Sequence, residues 1–71
     1  MHKLKNQAIE ILNEDFVDVQ LLNSKGNPWI FEDESGNRFH GELFYSEYMN
    51  KFGLTLKQYK NGWREITTIH E

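Results

Sequence analysis

Cysteine is absent from the chain, and proline occurs only once. Without cysteine, disulfide bonds, thiolate zinc sites and thiol chemistry are excluded. No apolar run approaches the roughly 20 residues that a membrane-spanning helix needs, and no signal-peptide apolar segment follows Met1. Together these absences predict a cytoplasmic protein without a membrane association.

The length of 71 residues allows one domain, 1–71, with a small hydrophobic core. Such a core contributes only about 3–5 kcal/mol unless something reinforces it, and pairing as a homodimer would be one reinforcement. Hydrophobic residues make up 38% and aromatic residues 14% of the chain, which favours a folded domain over a disordered segment.

Two similar five-residue segments divide the middle of the chain, at 23–27 (Asn-Ser-Lys-Gly-Asn) and 33–37 (Asp-Glu-Ser-Gly-Asn). Asn or Asp favours the first position of a type I turn, and Gly then takes the left-handed position of a bulged hairpin. Two hairpin turns in succession predict a three-stranded antiparallel meander. Its strands are Phe16–Leu22, Pro28–Glu32 and Arg38–Phe44.

The same turns predict how the strands pair. With each Gly as the bulge residue, Leu21 faces Trp29, and Phe31 faces both Val19 and Phe39. Because side chains alternate along a strand, one face is then apolar and the other mixed. The apolar face collects Val17, Val19, Leu21, Trp29, Phe31, Phe39, Gly41 and Leu43. The mixed face collects Phe16, Asp18, Gln20, Leu22, Ile30, Glu32, Arg38, His40, Glu42 and Phe44.

Residues 2–13 have the apolar period of an amphipathic helix. Leu4, Ala8, Ile11 and Leu12 fall on one stripe, and Ala, Leu, Glu, Lys and Gln are good helix formers. The apolar stripe of the helix can be buried against the apolar face of the meander, so we expect the helix to pack on the sheet.

The segment after the meander is interpreted as helical. Ser46 followed by Glu47 is typical of a helix start, and Gly53 of a helix C-cap. A restarted helix would end at Asn61-Gly62 and place one stripe of apolar residues on its face. That stripe is Met49, Phe52, Leu56 and Tyr59.

An alternative uses Asn61-Gly62 as a hairpin turn between strands Leu54–Lys60 and Trp63–Ile69. Its faces mix charged and apolar side chains, so the helical interpretation is preferred. Arg64–His70 is a strand in either case, because it is rich in Thr and Ile. The predicted fold is α+β: an N-terminal helix on a three-stranded antiparallel meander, then a helical segment and a C-terminal strand.

Residue patterns of catalytic and metal sites are missing. His40 and Glu42 lie on one face of the third predicted strand, whereas His2 and His70 are distant in sequence. The sequence has no cysteine nucleophile, no serine in a nucleophile-elbow context and no glycine-rich phosphate loop. It therefore predicts no enzyme activity, no metal and no cofactor.

The mixed sheet face is the predicted protein-binding surface, because exposed apolar residues in an acidic frame are typical of an interface. The alternative is that the C-terminal segment folds over this face. The predicted contact residues are Asp18, Ile30, Glu32, Asp33, Glu34, His40, Glu42 and Phe44.

An alternative function is nucleic-acid binding by the basic and aromatic stretch 51–64, which contains no acidic residue. The candidate residues are Lys51, Lys57, Lys60, Trp63 and Arg64. The order helix, three strands, helix is similar to that of double-stranded RNA-binding domains, but the basic helix start of that family is missing at Ser46-Glu47-Tyr48. Protein binding is therefore the favoured function.

The element order, together with Lys51-Phe52 and Lys60-Asn61-Gly62-Trp63, resembles small phage-encoded anti-CRISPR proteins that inhibit Cas9. The resemblance implies a phage- or mobile-element-encoded inhibitor whose acidic surface mimics DNA at the site that reads the protospacer-adjacent motif. The contacts it implies are Asp18, Glu32, Asp33, Glu34 and Glu42.

Overall fold

The computed structural model describes residues 2–71, with side chains from residue 3 onward. One helix is followed by five strands: α1 His2–Leu12, β1 Gln20–Asn23, β2 Trp29–Glu32, β3 Arg38–Ser46, β4 Lys51–Tyr59 and β5 Trp63–His70. The strands form one antiparallel sheet in chain order, β1-β2-β3-β4-β5. The molecule is thus a small α+β domain whose sheet is an uninterrupted meander.

The amphipathic helix is confirmed. Leu4, Ala8 and Leu12 of α1 are 0–2% exposed, and Ile11 is half-buried against the same core. α1 contacts β1, β4 and β5 and lies on one face of the sheet, which we call the helix side. Burying this stripe stabilises both elements, because an isolated helix of this length is marginal in water.

The helix side of the sheet carries the core. Val19, Trp29, Phe31, Phe39, Leu54 and Leu56 are all 5% exposed or less and pack with the helix stripe. Gly41 pairs with Trp29, and a Cβ at Gly41 would lie 3.0–3.1 Å from the side chain of Leu54. The missing side chain at Gly41 therefore makes room for Leu54 from the neighbouring strand.

The second turn is confirmed in detail. Asp33 donates its N–H to the Asn37 carbonyl, Gly36 donates to the Asp33 carbonyl, and Gly36 has a φ of 85°. Phe31 pairs with Phe39 in the predicted register. Local turn chemistry is therefore sufficient to set the β2–β3 hairpin.

The first turn differs from its prediction. Leu21 pairs with Phe31, not Trp29, and β1 carries a register irregularity before Asn23. Gly26 is not among the residues with positive φ. The loop is held instead by Asn27, whose side-chain amide donates to the Leu43 carbonyl at 3.0 Å and accepts from the Leu43 N–H at 2.9 Å.

The first strand is shorter than predicted. Residues 13–18 form turns and bends, and Val17, predicted to lie in the core, is 57% exposed. Phe16, predicted on the mixed face, packs edge-to-face on the core residue Phe39. Asp18 has a φ of 53°, which ends the regular alternation before β1 begins.

The predicted helical segment after the meander is wrong, and the sheet has five strands rather than three. Ser46 ends β3, and its hydroxyl accepts a hydrogen bond from the N–H of Met49 in the turn 47–50. Gly53, predicted as a helix C-cap, lies within β4 opposite Phe44. The hairpin alternative at Asn61-Gly62 is confirmed, although Lys60 joins the loop because Tyr59 pairs with Trp63.

A β-bulge in β5 explains why the sequence of this hairpin does not alternate cleanly between apolar and polar residues. Leu56 pairs with Thr67 and Lys57 pairs with Glu65, so Ile66 has no partner in β4. The extra residue reverses the alternation within β5. Strict alternation therefore assigns the first half of the strand to the wrong face.

Candidate functional site: the open face of the sheet

The sheet face opposite α1 is covered by no helix or strand of the described residues, and we call it the open face. The C-terminal segment does not fold over it, because β4 and β5 continue the sheet. Alternation and register place side chains from four strands on this face. They are Ile30, Glu32, Arg38, His40, Glu42, Phe44, Thr55, Lys57, Tyr59, Trp63, Glu65, Thr68 and His70.

Three aromatic rings lie together on the open face, and we call them the aromatic cluster: His40, Tyr59 and Trp63. The His40 and Trp63 rings are stacked, with centroids 3.6 Å apart and planes inclined by 20°. Tyr59 meets Trp63 edge-on at 5.3 Å. Because β4 lies between β3 and β5, the Trp63 indole must extend across β4 to reach His40. Trp63 is still 43% exposed and Tyr59 57% exposed.

Two ion pairs lie beside the cluster, and Glu65, opposite Lys57 in β5, belongs to neither of them. Lys57 Nζ lies 2.8 Å from Glu42 Oε1, and Arg38 Nε lies 2.7 Å from Glu32 Oε2. These pairs are partly exposed and contribute about 0–1 kcal/mol each to stability. Within each pair the two charges offset each other, so Glu32 and Glu42 do not present free negative charge to a partner.

A second aromatic pair lies at the far end of β3. Phe44 meets His70 edge-on at 5.6 Å, and both rings lie over the backbone of Gly53. Thr55 and Thr68 share a hydroxyl hydrogen bond of 3.2 Å beside them. Gly53 is thus required by the close approach of two rings to the β4 backbone.

His40 is a titratable group on this face whose pKa its surroundings shift. Burial lowers the pKa of His40 below its ordinary value of 6.5; Glu42 opposes this change and Lys57 adds to it. Burial therefore favours the neutral form of the imidazole that is stacked on the indole.

The structure brings together five of the residues predicted to bind a protein. Ile30, Glu32, His40, Glu42 and Phe44 all lie on the open face. The other three residues, Asp18, Asp33 and Glu34, lie in connections beyond the strand ends.

Asp33 has a structural role in its turn. Its Oδ1 accepts hydrogen bonds from the N–H groups of Ser35 and Asn37 at 3.0 and 2.7 Å, and its Oδ2 accepts from Asn37 Nδ2 at 2.7 Å. The side-chain bond from Asn37, with the backbone N–H bonds, lowers the pKa of Asp33 below 3.8 although burial opposes it. With its oxygens engaged, this carboxylate has little capacity left for a partner.

The residues predicted to bind nucleic acid are spread apart. Lys51 begins β4, Lys60 lies in the β4–β5 loop, and Arg64 is opposite Gln58 on the helix side. Lys57 is paired with Glu42, and Trp63 belongs to the aromatic cluster. The basic stretch of the sequence does not form one basic surface.

Sequence reasoning missed the contribution of β4 and β5 to this face. Tyr59, Thr55, Thr68 and His70 join it because these strands extend the meander. The signal that could have found them was Asn61-Gly62, since both residues have the positive φ that a tight hairpin loop requires.

Among the described residues, no three His, Asp or Glu side chains gather as a metal-binding group. The helix of the described chain is too short to cross a bilayer. Comparison of the chain with protein-family models, with curated proteins and with solved structures gives no match. The open face is therefore the structural feature that bears on function.

Proposed function

We propose that the chain is a non-enzymatic, cytoplasmic protein-binding domain that docks a partner on the open face of its sheet. The observation that carries the proposal is the aromatic cluster, because Trp63 and Tyr59 remain 43% and 57% exposed on an uncovered sheet face while Trp63 is stacked on the half-buried His40. Trp and Tyr are enriched among the residues that dominate binding energy at protein interfaces.

The geometry of the cluster favours binding through preorganisation. Trp63 is held by stacking on His40 and by the edge of Tyr59, so its indole loses little rotamer freedom when a partner covers it. Ile30 pairs with His40 and extends the apolar surface toward β2. The ion pairs Lys57–Glu42 and Arg38–Glu32 supply a polar rim.

The narrower form of the proposal is an inhibitor or accessory protein encoded by a phage or mobile element. The resemblance to anti-CRISPR proteins included a helix after the meander, and β4 occupies that part of the chain. Its support is therefore reduced to the short residue matches. The acidic contacts Glu32 and Glu42 are also neutralised within the sheet, which favours an apolar and aromatic interface over mimicry of DNA.

Nucleic-acid binding is the second candidate, and the exposed rings of Tyr59 and Trp63 beside Lys60 are the observation in its favour. Bases could stack on these rings, but phosphate binding needs free cations along a groove. Lys57 is already paired, and Arg64 lies on the opposite side of the sheet. Protein binding is therefore the stronger proposal.

The decisive experiment compares aromatic-to-alanine variants as baits in a lysate of the source cells. Tyr59→Ala with Trp63→Ala removes the exposed part of the cluster, whereas Tyr48→Ala removes a tyrosine that is 99% exposed in the β3–β4 turn. Circular dichroism first establishes that both variants fold. We expect the double variant to lose the partner at least tenfold and Tyr48→Ala to retain it.

Equal capture by the two variants would show that the open face is not the interface. The same proteins are titrated with labelled DNA and RNA at two salt concentrations. Tight, salt-sensitive binding that Lys57→Glu with Lys60→Glu abolishes would establish the nucleic-acid candidate instead.

A further inference from the structure

The outer edge of β5 is the longer of the two free edges of the sheet. β1 has four residues, whereas β5 has eight and contains no proline. Trp63 and Ile66 on this strand are 43% and 41% exposed. An exposed edge of this length presents unpaired N–H and C=O groups to another strand.

The direction of those groups follows from the last pair of the β4–β5 ladder. The Glu71 N–H donates to the Phe52 carbonyl at 3.1 Å, and the Phe52 N–H donates to Glu71 Oε1 at 3.1 Å, so the backbone groups of residues 52 and 71 face each other as in a hydrogen-bonded pair. Such pairs alternate along an antiparallel ladder. The register then turns the backbone groups of Ile69, Thr67 and Arg64 toward β4. The backbone groups of Trp63, Glu65, Thr68 and His70 point outward.

The bulge makes this edge complementary to itself. If a two-fold axis passed between Ile66 and Thr67, Trp63 would lie opposite His70 of a second copy, and Glu65 opposite Thr68. In a regular strand of eight residues, each residue whose backbone groups point outward, away from β4, would face a residue of the second copy whose backbone groups point inward, toward its own β4. The extra residue Ile66 shifts the alternation by one, so each outward-pointing residue meets another.

The side chains match as well. Trp63, Glu65, Thr68 and His70 all lie on the open face, so their pairs share one face of a joined sheet. On the helix side, Arg64 lies opposite Ile69 of the second copy. Ile69 lines a cleft with Gln7, Glu10 and Ile11 of α1, so in this arrangement the basic Arg64 would approach the acidic Glu10 of the other chain.

We propose that a second copy of this chain pairs with β5 through this register and joins two sheets into one of ten strands. The two helices would flank the seam on one face, and the two open faces would be continuous on the other. The cleft between α1 and β5 would be covered in the dimer; within it, the buried Oε1 of Gln7 accepts no hydrogen bond from the described residues.

The register can be tested by disulfide trapping, because the chain has no cysteine of its own. Glu65→Cys with Thr68→Cys sets two cysteines opposite each other across the seam, where hydrogen-bonded pairs have Cα atoms about 5.5 Å apart. That separation suits a disulfide. Within one chain the two positions are about 10 Å apart, which prevents an internal bond.

The matched control is Glu65→Cys with His70→Cys, whose cysteines do not face each other in this register. Under mild oxidation we expect nearly complete covalent dimer for the first variant and at least tenfold less for the control. Sedimentation velocity of the unmodified chain is expected to show a dimer that dissociates on dilution. A monomer at several hundred micromolar, or equal cross-linking of both variants, would overturn the proposal.

Discussion

The imidazole of His40 lies flat on the indole of Trp63, with ring centroids 3.6 Å apart. The two residues belong to β3 and β5, which are separated by β4, so the stack joins the middle of the sheet to its edge. A stack of this kind is worth about 0.5–1.5 kcal/mol beyond the area it buries. It also fixes the ring that we propose as the centre of the partner surface.

The first prediction concerns acid sensitivity. Because burial lowers the pKa of His40 in the folded state, the unfolded chain binds a proton at a higher pH than the folded chain does. The stability contributed by neutral His40 is complete above about pH 6.5 and is lost as the pH falls toward the lowered value. Urea unfolding at pH 8, 7, 6 and 5.5 should show this loss, and His40→Phe should reduce it. An unchanged pH dependence in His40→Phe would contradict the effect of burial.

The second prediction concerns Gly53. A Cβ at this position would overlap the Phe44 ring and lie 3.0 Å from Cδ2 of His70. We expect Gly53→Ala to lower the free energy of unfolding by about 1–3 kcal/mol, since two rings must move. Gly26→Ala is the control, because nothing lies within 4 Å of its Cβ, and its change should be within about 0.5 kcal/mol. Equal losses in the two variants would contradict the close packing over β4.

The third prediction concerns the first loop. Asn27→Ala removes both hydrogen bonds to the Leu43 backbone and should cost about 1–2 kcal/mol in chemical denaturation. Asn23→Ala removes one bond, from the Lys25 N–H, which stays within the loop. We expect it to cost less than half as much. A larger loss in Asn23→Ala would mean that the loop is held locally.

The fourth prediction separates two neighbouring acids that the sequence assigned to the same surface. Asp33→Ala should lower the melting temperature clearly, because its carboxylate accepts three hydrogen bonds in the β2–β3 turn. Glu34→Ala should leave it unchanged, because the Glu34 side chain is exposed and only its backbone N–H binds, to the Val17 carbonyl. Thermal unfolding at pH 7 is the measurement. A similar melting temperature for the two variants would contradict the turn assignment.

The parts of the fold that the sequence predicted are those set by neighbouring residues. The stripe of Leu4, Ala8 and Leu12 defines α1, and Asp33 with Gly36 defines the second turn. The predicted register of β1 was wrong by two residues, since Leu21 pairs with Phe31 and not with Trp29. Because side chains alternate with a period of two, this error left Leu21 on the predicted face.

The parts that it missed depend on contacts distant in sequence. Asn27 binds Leu43, sixteen residues away, and no local pattern reveals that bond. Gly53 resembles a C-cap until Phe44 is seen to lie across it. The bulge at Ile66 hides the alternation of β5, and this favoured the helical interpretation of a strand.

The sequence predicted the part of the candidate site that neighbouring residues set and missed the part that depends on distant contacts. Ile30, His40 and Glu42 follow from the correctly predicted hairpin of β2 and β3. Trp63 was grouped with the basic stretch, because only the completed sheet carries its indole across β4 to His40. The protein-binding and nucleic-acid-binding candidates thus meet at one surface.

The measurement that tests the open face most directly is hydroxyl-radical footprinting of the free protein and of the complex it forms in a source-cell lysate. Trp63 and Tyr59 should be oxidised readily in the free protein and at least fivefold less in the complex. Tyr48, which is fully exposed in its turn, should be oxidised to the same extent in both samples. Trp29, which is 5% exposed in the core, should be protected in both. Equal oxidation of Trp63 in the free protein and in the complex would show that the partner binds elsewhere.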